Sequence, residues 1–501
     1  MKKIFILLII FLISIYALSS TAINSNKFEV VKKLIPEEIK LKIKKVFFKH
    51  KILEREVEIL SQQNENLQVD NQNLLRDKII LKNEINLLND FIKENLEGEL
   101  KSKLDQYDNQ KNLRVDFYIK KNLQTLSYYK KNQKKLTNKL TLINYDNPLT
   151  FQSGINKGTP GSAFIDFADN NLFLISAIGI TAFGKIEDDF IKLKQIKNNI
   201  DVFIGEKQFL KSYGLGGQAI KFSIKDIKII NKNIYVSYTN ELKENCWNTS
   251  IIVAKLNYDE LNFKQLFSPN QCVINEIGKD FTPNQSGGRI VSFDDENILL
   301  TIGEFRQRDL AQQDDSVFGK ILKINLKNNT YENLSKGHRN PQGLFYDKIN
   351  NIIISTEHGP KGGDEINIIK FKNLENIANY GWPISSYGEH YAGERDNPKF
   401  KELYDKYPLL KSHSKYDFVE PIKYFNPSIG PSEIVAINKN KSYVAGSMKD
   451  QSLYFFELDD ENKIKDIERV NVGERIRDLI IVKNKLILFL EDNARVGIIN
   501  L

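Results

Sequence analysis

The chain has 501 residues, 41% of them hydrophobic, so it can bury a substantial core and is longer than one typical domain. Its 72 basic and 64 acidic residues are spread along the chain, which argues against a nucleic-acid-binding protein. The two cysteines, Cys246 and Cys272, are too few for a disulfide framework or a multi-cysteine zinc site. A single disulfide and two free buried thiols are both compatible with their spacing.

The first element, residues 1–25, is predicted to be an export signal. Lys2 and Lys3 precede an apolar run from Ile4 to Leu18, and small residues such as Ser20 follow. Either a cleaved signal peptide or an uncleaved membrane anchor fits, since the apolar stretch approaches the roughly 20 residues that span a bilayer. In both cases the rest of the chain is expected on the periplasmic or extracellular side of the cytoplasmic membrane.

Residues 47–98 are predicted to form a coiled coil, because leucine recurs at every seventh position. These leucines are Leu53, Leu60, Leu67, Leu74, Leu81 and Leu88. Polar residues at the alternate core positions, among them Asn64 and Asn71, favour a parallel homodimer. The alternative is one amphipathic helix packed against its own domain. Residues 99–146 follow as a connector of uncertain structure or a closing strand.

From residue 147 the hydrophobic period changes from seven to two. Short apolar runs such as NLFLIS, NIYVSY and GKILKINL are separated by turns rich in Asn, Asp, Gly and Lys, which is typical of an antiparallel all-β domain. About 350 residues of short strands exceed one sandwich and suit six blades of nearly sixty residues each. Residues 147–501 are therefore predicted to form an all-β six-bladed propeller.

Six motifs follow one another between Gly337 and Leu479. In order they are GHRNPQGLFYD, STEHGPKGGDEINII, NYGWP, NPSIGPS, GSMKDQSLYFF and GERIRDL. Each resembles a segment of the PQQ-dependent aldose dehydrogenases, of the soluble quinoprotein type within the glucose/sorbosone dehydrogenase family. The resemblance implies an exported propeller enzyme that transfers hydride from a sugar or alcohol to PQQ and passes electrons to a respiratory acceptor.

The resemblance also implies PQQ and Ca²⁺ as cofactors. PQQ carries three carboxylates, so its site needs fixed cations, and guanidinium forks suit carboxylates. The implied cofactor contacts are Arg339, Asn340, His358, Lys449, Arg475 and Arg477. The carbonyls of Gly359 and Pro360 match those that hold calcium on the quinone, and oxygen ligands are what calcium prefers. In some members a second, structural calcium sits where Asp364, Glu365 and the Tyr380 carbonyl fall here.

The sequence departs from the family where the catalytic base is expected. A His ahead of the Gly-Gly-Arg segment removes the substrate proton in active members, whereas residues 284–289 read Asn-Gln-Ser-Gly-Gly-Arg. Neither amide, that of Asn284 or of Gln285, accepts a proton near neutral pH. Leu215 stands where a cofactor-contacting Gln is expected. Glu304, which matches the acid that orients the base, is therefore the candidate base, with Arg339 as the second catalytic residue.

Two other functions compete with the dehydrogenase. The missing His favours a catalytically degenerate propeller that binds a sugar, a glycan or a protein, tethered by the dimeric coiled coil. The second alternative is a membrane-tethered scaffold. Among the other histidines, His338 is predicted to support the Arg339 loop. His50, His390 and His413 are predicted to be surface or packing residues.

Overall fold

The computed structural model describes residues 125–146, 162–177, 179–204, 223–276, 280–370, 377–438 and 441–501. The predicted export segment 1–25, the predicted coiled coil 47–98 and Leu215 lie outside these ranges. Within them the secondary structure is mostly strand, with one short α-helix, α1 (Lys401–Lys406). No helix in the described ranges is long and apolar enough to cross a membrane.

The strands form six blades, in which neighbouring strands are antiparallel except for the short β20, which pairs parallel with β16. Two strands precede the first blade, β1 (Thr125–Lys135) and β2 (Thr141–Asp146). Blade 1 contains β3 (Ala163–Ala168), β4 (Asn171–Ser176), β5 (Thr181–Gly184) and β6 (Phe190–Asn198). Blade 2 contains β7 (Ile224–Ile230), β8 (Asn233–Lys243), β9 (Cys246–Lys255), β11 (Lys264–Phe267) and β12 (Val273–Ile274), while the two-residue β10 (Glu260–Leu261) pairs with β6.

The remaining blades repeat this meander. Blade 3 contains β13 (Gly287–Ser292), β14 (Asn297–Ile302), β15 (Lys320–Asn325), β16 (Tyr331–Lys336) and β20 (Ala378–Asn379). Blade 4 contains β17 (Pro341–Asp347), β18 (Ile352–Glu357), β19 (Asp364–Lys370) and β21 (Lys423–Phe425). Blade 5 contains β22 (Pro431–Ala436), β23 (Ser442–Ser447), β24 (Ser452–Leu458) and β25 (Ile464–Asn471). Blade 6 contains β26 (Ile476–Val482), β27 (Lys485–Leu490) and β28 (Arg495–Asn500), completed by β2.

The first strands of the blades close into a ring. Each inner strand contacts the next in the order β3, β7, β13, β17, β22 and β26, and β26 returns to β3. Strand β2 pairs antiparallel with β28, from Leu142 opposite Ile499 to Tyr145 opposite Val496, so residues 141–146 are a closing strand of the last blade. Closure of this kind protects sheet edges that would otherwise be exposed. The predicted all-β propeller is confirmed.

Strand β14 shows why the middle strands read as continuous apolar runs. Ile298, Leu300 and Ile302 pack in one cluster with Ile251 of blade 2. Leu299, on the opposite face, packs in another cluster with residues of blade 4. Successive side chains of a strand point to opposite faces, and each blade is covered on both faces by its neighbours. The strand therefore buries nearly every residue, which period-two alternation alone does not predict.

Cys246 and Cys272 form a disulfide. It links the start of β9 to the residue before β12, and these strands pair through Trp247 and Val273. The bond closes a sequence separation of 26 residues, for which chain entropy predicts a stabilisation of roughly 3 kcal/mol. We expect the double variant Cys246→Ser/Cys272→Ser to lose about this much free energy of unfolding in urea titration. An unchanged urea midpoint in the variant would contradict the expectation.

Carboxylates on the inner strands accept backbone N–H groups from neighbouring blades. Asp166 accepts from Ile229 at 2.6 Å, Asp226 from Ile290 at 2.7 Å, Asp478 from Ile165 at 2.7 Å and Glu433 from Leu344 at 3.1 Å. Three of these acids surround one guanidinium at 2.8 Å, namely that of Arg289, and these four residues are called the Arg289 cluster below. A cavity of about 590 Å³ lies beside it, lined by residues of all six inner strands.

Candidate active site

Most of the residues predicted for cofactor binding and catalysis, together with Gln285 and Glu491, lie where an inner strand begins or where a second strand ends. In an antiparallel meander these two positions are at the same edge of the sheet. Residues at the start of inner strands are Gln285 ahead of β13, Arg339 and Asn340 ahead of β17, and Arg475 and Arg477 at β26. Residues that follow second strands are Glu304 after β14, His358 after β18, Lys449 after β23 and Glu491 after β27. The fold thus gathers them at one mouth of the ring.

Glu304 and Arg339 are neighbours at this mouth. The Glu304 backbone N–H donates to the Arg339 carbonyl at 3.0 Å. The Gln285 side chain lies between them: in the orientation that satisfies both groups, its amide donates to Glu304 Oε1 and accepts from Arg339 Nη2 at 2.6 Å. Gln285 therefore touches both catalytic candidates.

The Glu304 carboxyl is fully buried, and burial raises its pKa to about 7 against the lowering effect of Arg339 and Arg308. Its Oε2 atom has no hydrogen-bond partner within the described ranges. A buried carboxyl with a free oxygen and a pKa near neutrality is suited to take up a proton. The geometry thus equips Glu304 for the proton transfer that neither Asn284 nor Gln285 can perform.

The Arg339 guanidinium is fixed from several sides. Its Nη1 donates to the His358 carbonyl at 2.8 Å, and its carbon lies 5.5 Å from the ring centre of Trp382 and 6.0 Å from that of Tyr391. Tyr391 is 63% exposed, so one face of its ring is open to solvent beside the guanidinium. Trp382 is buried, and its Nε1 has no partner in the part of the chain that the structure describes.

Asn340 and His358 are structural neighbours of Arg339. The Asn340 side-chain oxygen accepts from Gly287 N at 3.2 Å and from Gln342 Nε2 at 3.0 Å. His358 Nε2 lies 2.8 Å from the Pro431 carbonyl. Burial, with the positive charges of Arg339, Arg475 and Arg477, lowers the pKa of His358 to about 3. The imidazole is therefore a poor proton acceptor at neutral pH, which leaves Glu304 as the stronger candidate base.

Arg475 and Arg477 share one buried carboxylate. Glu491 Oε2 accepts from Arg475 Nε at 3.0 Å, and Oε1 accepts from Arg477 Nε at 2.9 Å and from its Nη2 at 2.6 Å. Arg475 Nη1 reaches only the Met448 carbonyl, at 3.5 Å. Lys449, in the adjoining loop, is exposed and forms no ion pair among the described residues. Glu491 therefore orients two guanidinium groups and leaves donors of Arg475 available to a ligand.

The loop that contains Gly359 and Pro360 is held by Asp364. Asp364 Oδ1 accepts from Gly359 N at 2.9 Å, and Oδ2 accepts from Gly430 N at 2.7 Å. The Pro360 carbonyl accepts from Ser428 Oγ at 3.2 Å. Burial raises the pKa of Asp364 to about 6. This carboxylate fastens two loops of the mouth to each other.

Glu365 and Tyr380 lie one layer deeper. Glu365 Oε1 lies 3.3 Å from His413 Nε2, and the Tyr380 carbonyl lies 3.0 Å from His413 Nδ1. His338, predicted to support the Arg339 loop, is buried with Nδ1 at 3.1 Å from Glu357 Oε2 and Nε2 at 2.8 Å from Ser335 Oγ. Among the described residues, no group of three or more His, Cys, Asp and Glu side chains has the geometry to hold a metal ion.

The free donors and the charge of the mouth indicate the ligand it accepts. Arg339, Lys449, Arg475 and Arg477 meet the acids Glu304, Asp364 and Glu491 at this mouth. The orphaned Nε1 of Trp382 and the loosely engaged Nη1 of Arg475 need acceptors. Carboxylate oxygens are acceptors that such donors bind well.

Comparisons with known proteins identify relatives of this chain. The sequence profile of the glucose/sorbosone dehydrogenase family matches residues 224–500. An uncharacterized protein of Synechocystis is 30% identical over 237 residues, which are 41% of this chain and 53% of that protein. An aldose sugar dehydrogenase of Escherichia coli is 28% identical over 271 residues, which are 50% of this chain and 67% of the enzyme. The chain thus spans about half the length of the Synechocystis relative.

The solved structures agree on the fold. The soluble aldose sugar dehydrogenase of Escherichia coli, in its apo form, superposes with a TM-score of 0.53 at 20% identity, covering 69% of this chain and 97% of that one. A glucose dehydrogenase superposes with a TM-score of 0.52, covering 69% and 96%. Because the family profile spans more than half of the sequence, including the residues of blades 2 to 6 that form the mouth, the chain belongs to the glucose/sorbosone dehydrogenase family.

Proposed function

We propose that this protein is an exported oxidoreductase that uses PQQ to oxidise a sugar or a related alcohol. The observation that carries the proposal is the mouth of the ring, where Arg339 lies beside the buried carboxyl of Glu304 and where Glu491 holds Arg475 and Arg477. Oxidation of an alcohol by hydride transfer needs two acceptors, a cofactor for the hydride and a base for the hydroxyl proton. A site that binds an anionic cofactor next to a proton acceptor supplies both.

Different residues of the chain would bind the cofactor and accept the proton. Arg475, Arg477 and Lys449 would bind the cofactor carboxylates, with Glu491 fixing the two guanidinium groups in place. Arg339 and Asn340 would lie against the quinone edge, and Arg339 is held there by Trp382 and the His358 carbonyl. When bound, PQQ supplies a two-electron acceptor for the hydride. Glu304 Oε2 accepts the hydroxyl proton, directly or through one water, and Arg339 favours the charged form of that carboxyl between turnovers.

One calcium ion fits this proposal. The carbonyls of Gly359 and Pro360 supply the oxygen donors that calcium prefers, and the loop that carries them is held by Asp364. We propose that these carbonyls hold the ion against the cofactor. The Ser428 hydroxyl that now donates to Pro360 can rotate away from it.

The proposal includes export and electron transfer. A disulfide between Cys246 and Cys272 supports an oxidising compartment, as does the predicted signal or anchor at 1–25. We propose that the catalytic domain lies on the periplasmic or extracellular side of the cytoplasmic membrane, on a parallel dimeric coiled coil. Electrons would then pass to a respiratory acceptor. Size measurement of the segment 47–98 tests the dimer, and a monomer at high micromolar concentration would exclude it.

Titration with PQQ and Ca²⁺, followed by absorbance, tests the cofactor site. We expect saturable binding by the full chain, and a Kd raised roughly tenfold to a hundredfold in Arg475→Leu, because a charge-assisted hydrogen bond is worth about 1.5–3 kcal/mol. Arg469→Leu is the matched control, since Arg469 also pairs with a carboxylate, that of Asp450 at 2.6 Å, but on the outer strand β25.

Activity is then measured as dye reduction with a panel of aldoses. Absence of saturable PQQ binding by the unmodified chain would refute the cofactor. Binding without dye reduction would instead support the degenerate propeller that the missing His suggested.

A further inference from the structure

The three groups expected to ligate a second calcium, Asp364, Glu365 and the Tyr380 carbonyl, already have partners in this protein. Both oxygens of Asp364 accept backbone N–H groups, from Gly359 and Gly430, at 2.9 and 2.7 Å. Glu365 Oε2 accepts from Asn367 Nδ2 at 3.2 Å. The Glu365 carboxyl also lies within hydrogen-bond reach of the Glu357 carboxyl, and Glu365 Oε1 and the Tyr380 carbonyl both face the side chain of His413.

The His413 ring fills the space that a cation would need. The residue is 1% exposed, with Nδ1 at 3.0 Å from the Tyr380 carbonyl and Nε2 at 3.3 Å from Glu365 Oε1. Calcium binds oxygen at about 2.3–2.6 Å. An ion at that distance from either oxygen, on the side that faces the ring, would therefore overlap the imidazole. The donor set does not fit a second calcium unless His413 leaves.

We propose that the His413 imidazole takes the place of the structural cation, so that the Asp364, Glu365 and Tyr380 groups of this chain bind no metal. The ring lies against the Glu365 carboxyl and the Tyr380 carbonyl, the two groups that the ion would otherwise contact. Its Nδ1 donates to the Tyr380 carbonyl, and its Nε2 lies at ion-pair distance from Glu365 Oε1 without hydrogen-bond geometry, so the ring joins β19 to the residue after β20. An unpartnered carboxylate at the depth of Glu365 would be costly.

The surroundings of His413 keep the ring in this position. It stacks on Tyr387, with ring centres 5.4 Å apart and an angle of 20°, and Tyr387 stacks in turn on Tyr424 at 3.8 Å. Gly381 has a φ of +85°, and a Cβ built there would lie 3.1 Å from His413 Nδ1. Gly381, the glycine of the NYGWP motif, thus leaves room for the imidazole. Its positive φ is also a backbone conformation that favours glycine.

The same interaction anchors the loop at the rim of the site. Glu420 accepts from Tyr387 Oη at 2.8 Å and from Ser414 N at 3.1 Å, which ties both sides of His413 together. The start and the end of the loop 385–421 are therefore held together by side-chain contacts, and the loop extends from there to the mouth. It follows that any calcium requirement of this protein comes from the cofactor ion proposed above, and that the rim loop keeps its position when calcium is removed.

Calcium stoichiometry of the full chain, measured by equilibrium dialysis without PQQ, tests the inference. We expect wild type and Glu365→Gln to bind the same number of ions, and His413→Gly to bind one more, because removal of the ring opens the space between the two oxygens. In thermal unfolding we expect His413→Gly to lose several degrees of Tm in EDTA and to recover part of that loss in millimolar Ca²⁺.

His390→Gly is the matched control, since His390 is also buried, with Nε2 at 2.8 Å from the Tyr407 carbonyl. We expect its Tm to fall without recovery in calcium.

Two outcomes would overturn the inference. One is a calcium ion that wild type binds without PQQ and that Glu365→Gln removes, and this comparison decides the question even if His413→Gly does not fold. The other is a folded His413→Gly variant that binds no additional ion. Neither outcome depends on PQQ, whereas failure of the proposed function would appear as absent cofactor binding with the calcium results unchanged.

Discussion

Replacement of Glu304 by Gln is expected to slow reduction of bound PQQ by roughly 10²- to 10⁴-fold, the range that a general base contributes. Gln is nearly isosteric but cannot accept a proton near neutral pH. The buried Oε2 of Glu304 is the free basic oxygen beside Arg339. We expect the Kd for PQQ to change little, because the cofactor carboxylates are assigned to Arg475, Arg477 and Lys449. Single-turnover absorbance with saturating substrate measures the rate.

The pH dependence gives a second signature of the same residue. Burial raises the pKa of Glu304 to about 7, and the base must be unprotonated to act. The rate of cofactor reduction should therefore rise with pH through about 7 and level off above it. We expect this acid limb to vanish in Glu304→Gln. A limb that persists unchanged in the variant would assign the proton to another group.

Two variants sharpen the test. Gln285→His places an imidazole against Glu304 and Arg339, and we expect it to raise the rate above that of wild type, with Glu304 then orienting the new base. Glu296→Gln is the control, since Glu296 is in the same blade but is exposed and pairs with Lys327 at the surface. A rate for Glu304→Gln equal to that of Glu296→Gln would remove Glu304 from the mechanism.

The fold could be predicted from the sequence because its signal is local. Short apolar runs between polar turns mark strands one at a time, and residues 147–501 contain enough of them for a propeller. Arg475 and Arg477 are two residues apart, which is the spacing of side chains on one face of a strand, and both reach Glu491. The predictions for 1–25 and 47–98 lie outside the described residues and stay predictions.

The contacts that complete the site have no local signal. Gln285 meets Glu304 and Arg339 across two blades, and His413 meets Glu365 from a loop nearly fifty residues away. His413 was expected to be a surface or packing residue, since nothing in its neighbouring sequence marks it as a partner of a buried carboxylate. Glu491 follows an apolar strand, and its two arginine partners are visible only once β26 and β27 are paired. Which loops meet around the ring is decided only when the blades close, so these contacts could not be predicted from the sequence.

The Arg289 cluster is a second feature of the ring with large consequences. The guanidinium is 5% exposed and contacts Asp226, Glu433 and Asp478 at 2.8 Å each. Burial raises the pKa of all three acids, and Arg289 opposes that rise. Each acid also accepts a backbone N–H, so the cation stabilises the charge on groups that join neighbouring inner strands.

Replacement of Arg289 by Leu is therefore expected to lower the free energy of unfolding by about 3–5 kcal/mol near pH 8, the usual cost of leaving buried charges without their partner. Loss of the cation raises the pKa values of the three acids further. The folded variant then holds more protons than the unfolded chain, so its stability should fall as pH rises from about 5 to 8 more steeply than that of wild type. Urea unfolding at the two pH values measures both effects.

Lys194→Met is the control, because Lys194 pairs with Asp259 at 3.2 Å on the surface and exposed pairs contribute about 0–1 kcal/mol. A loss for Arg289→Leu as small as that of the control, or equal at both pH values, would show that the acids do not depend on Arg289 for their charge.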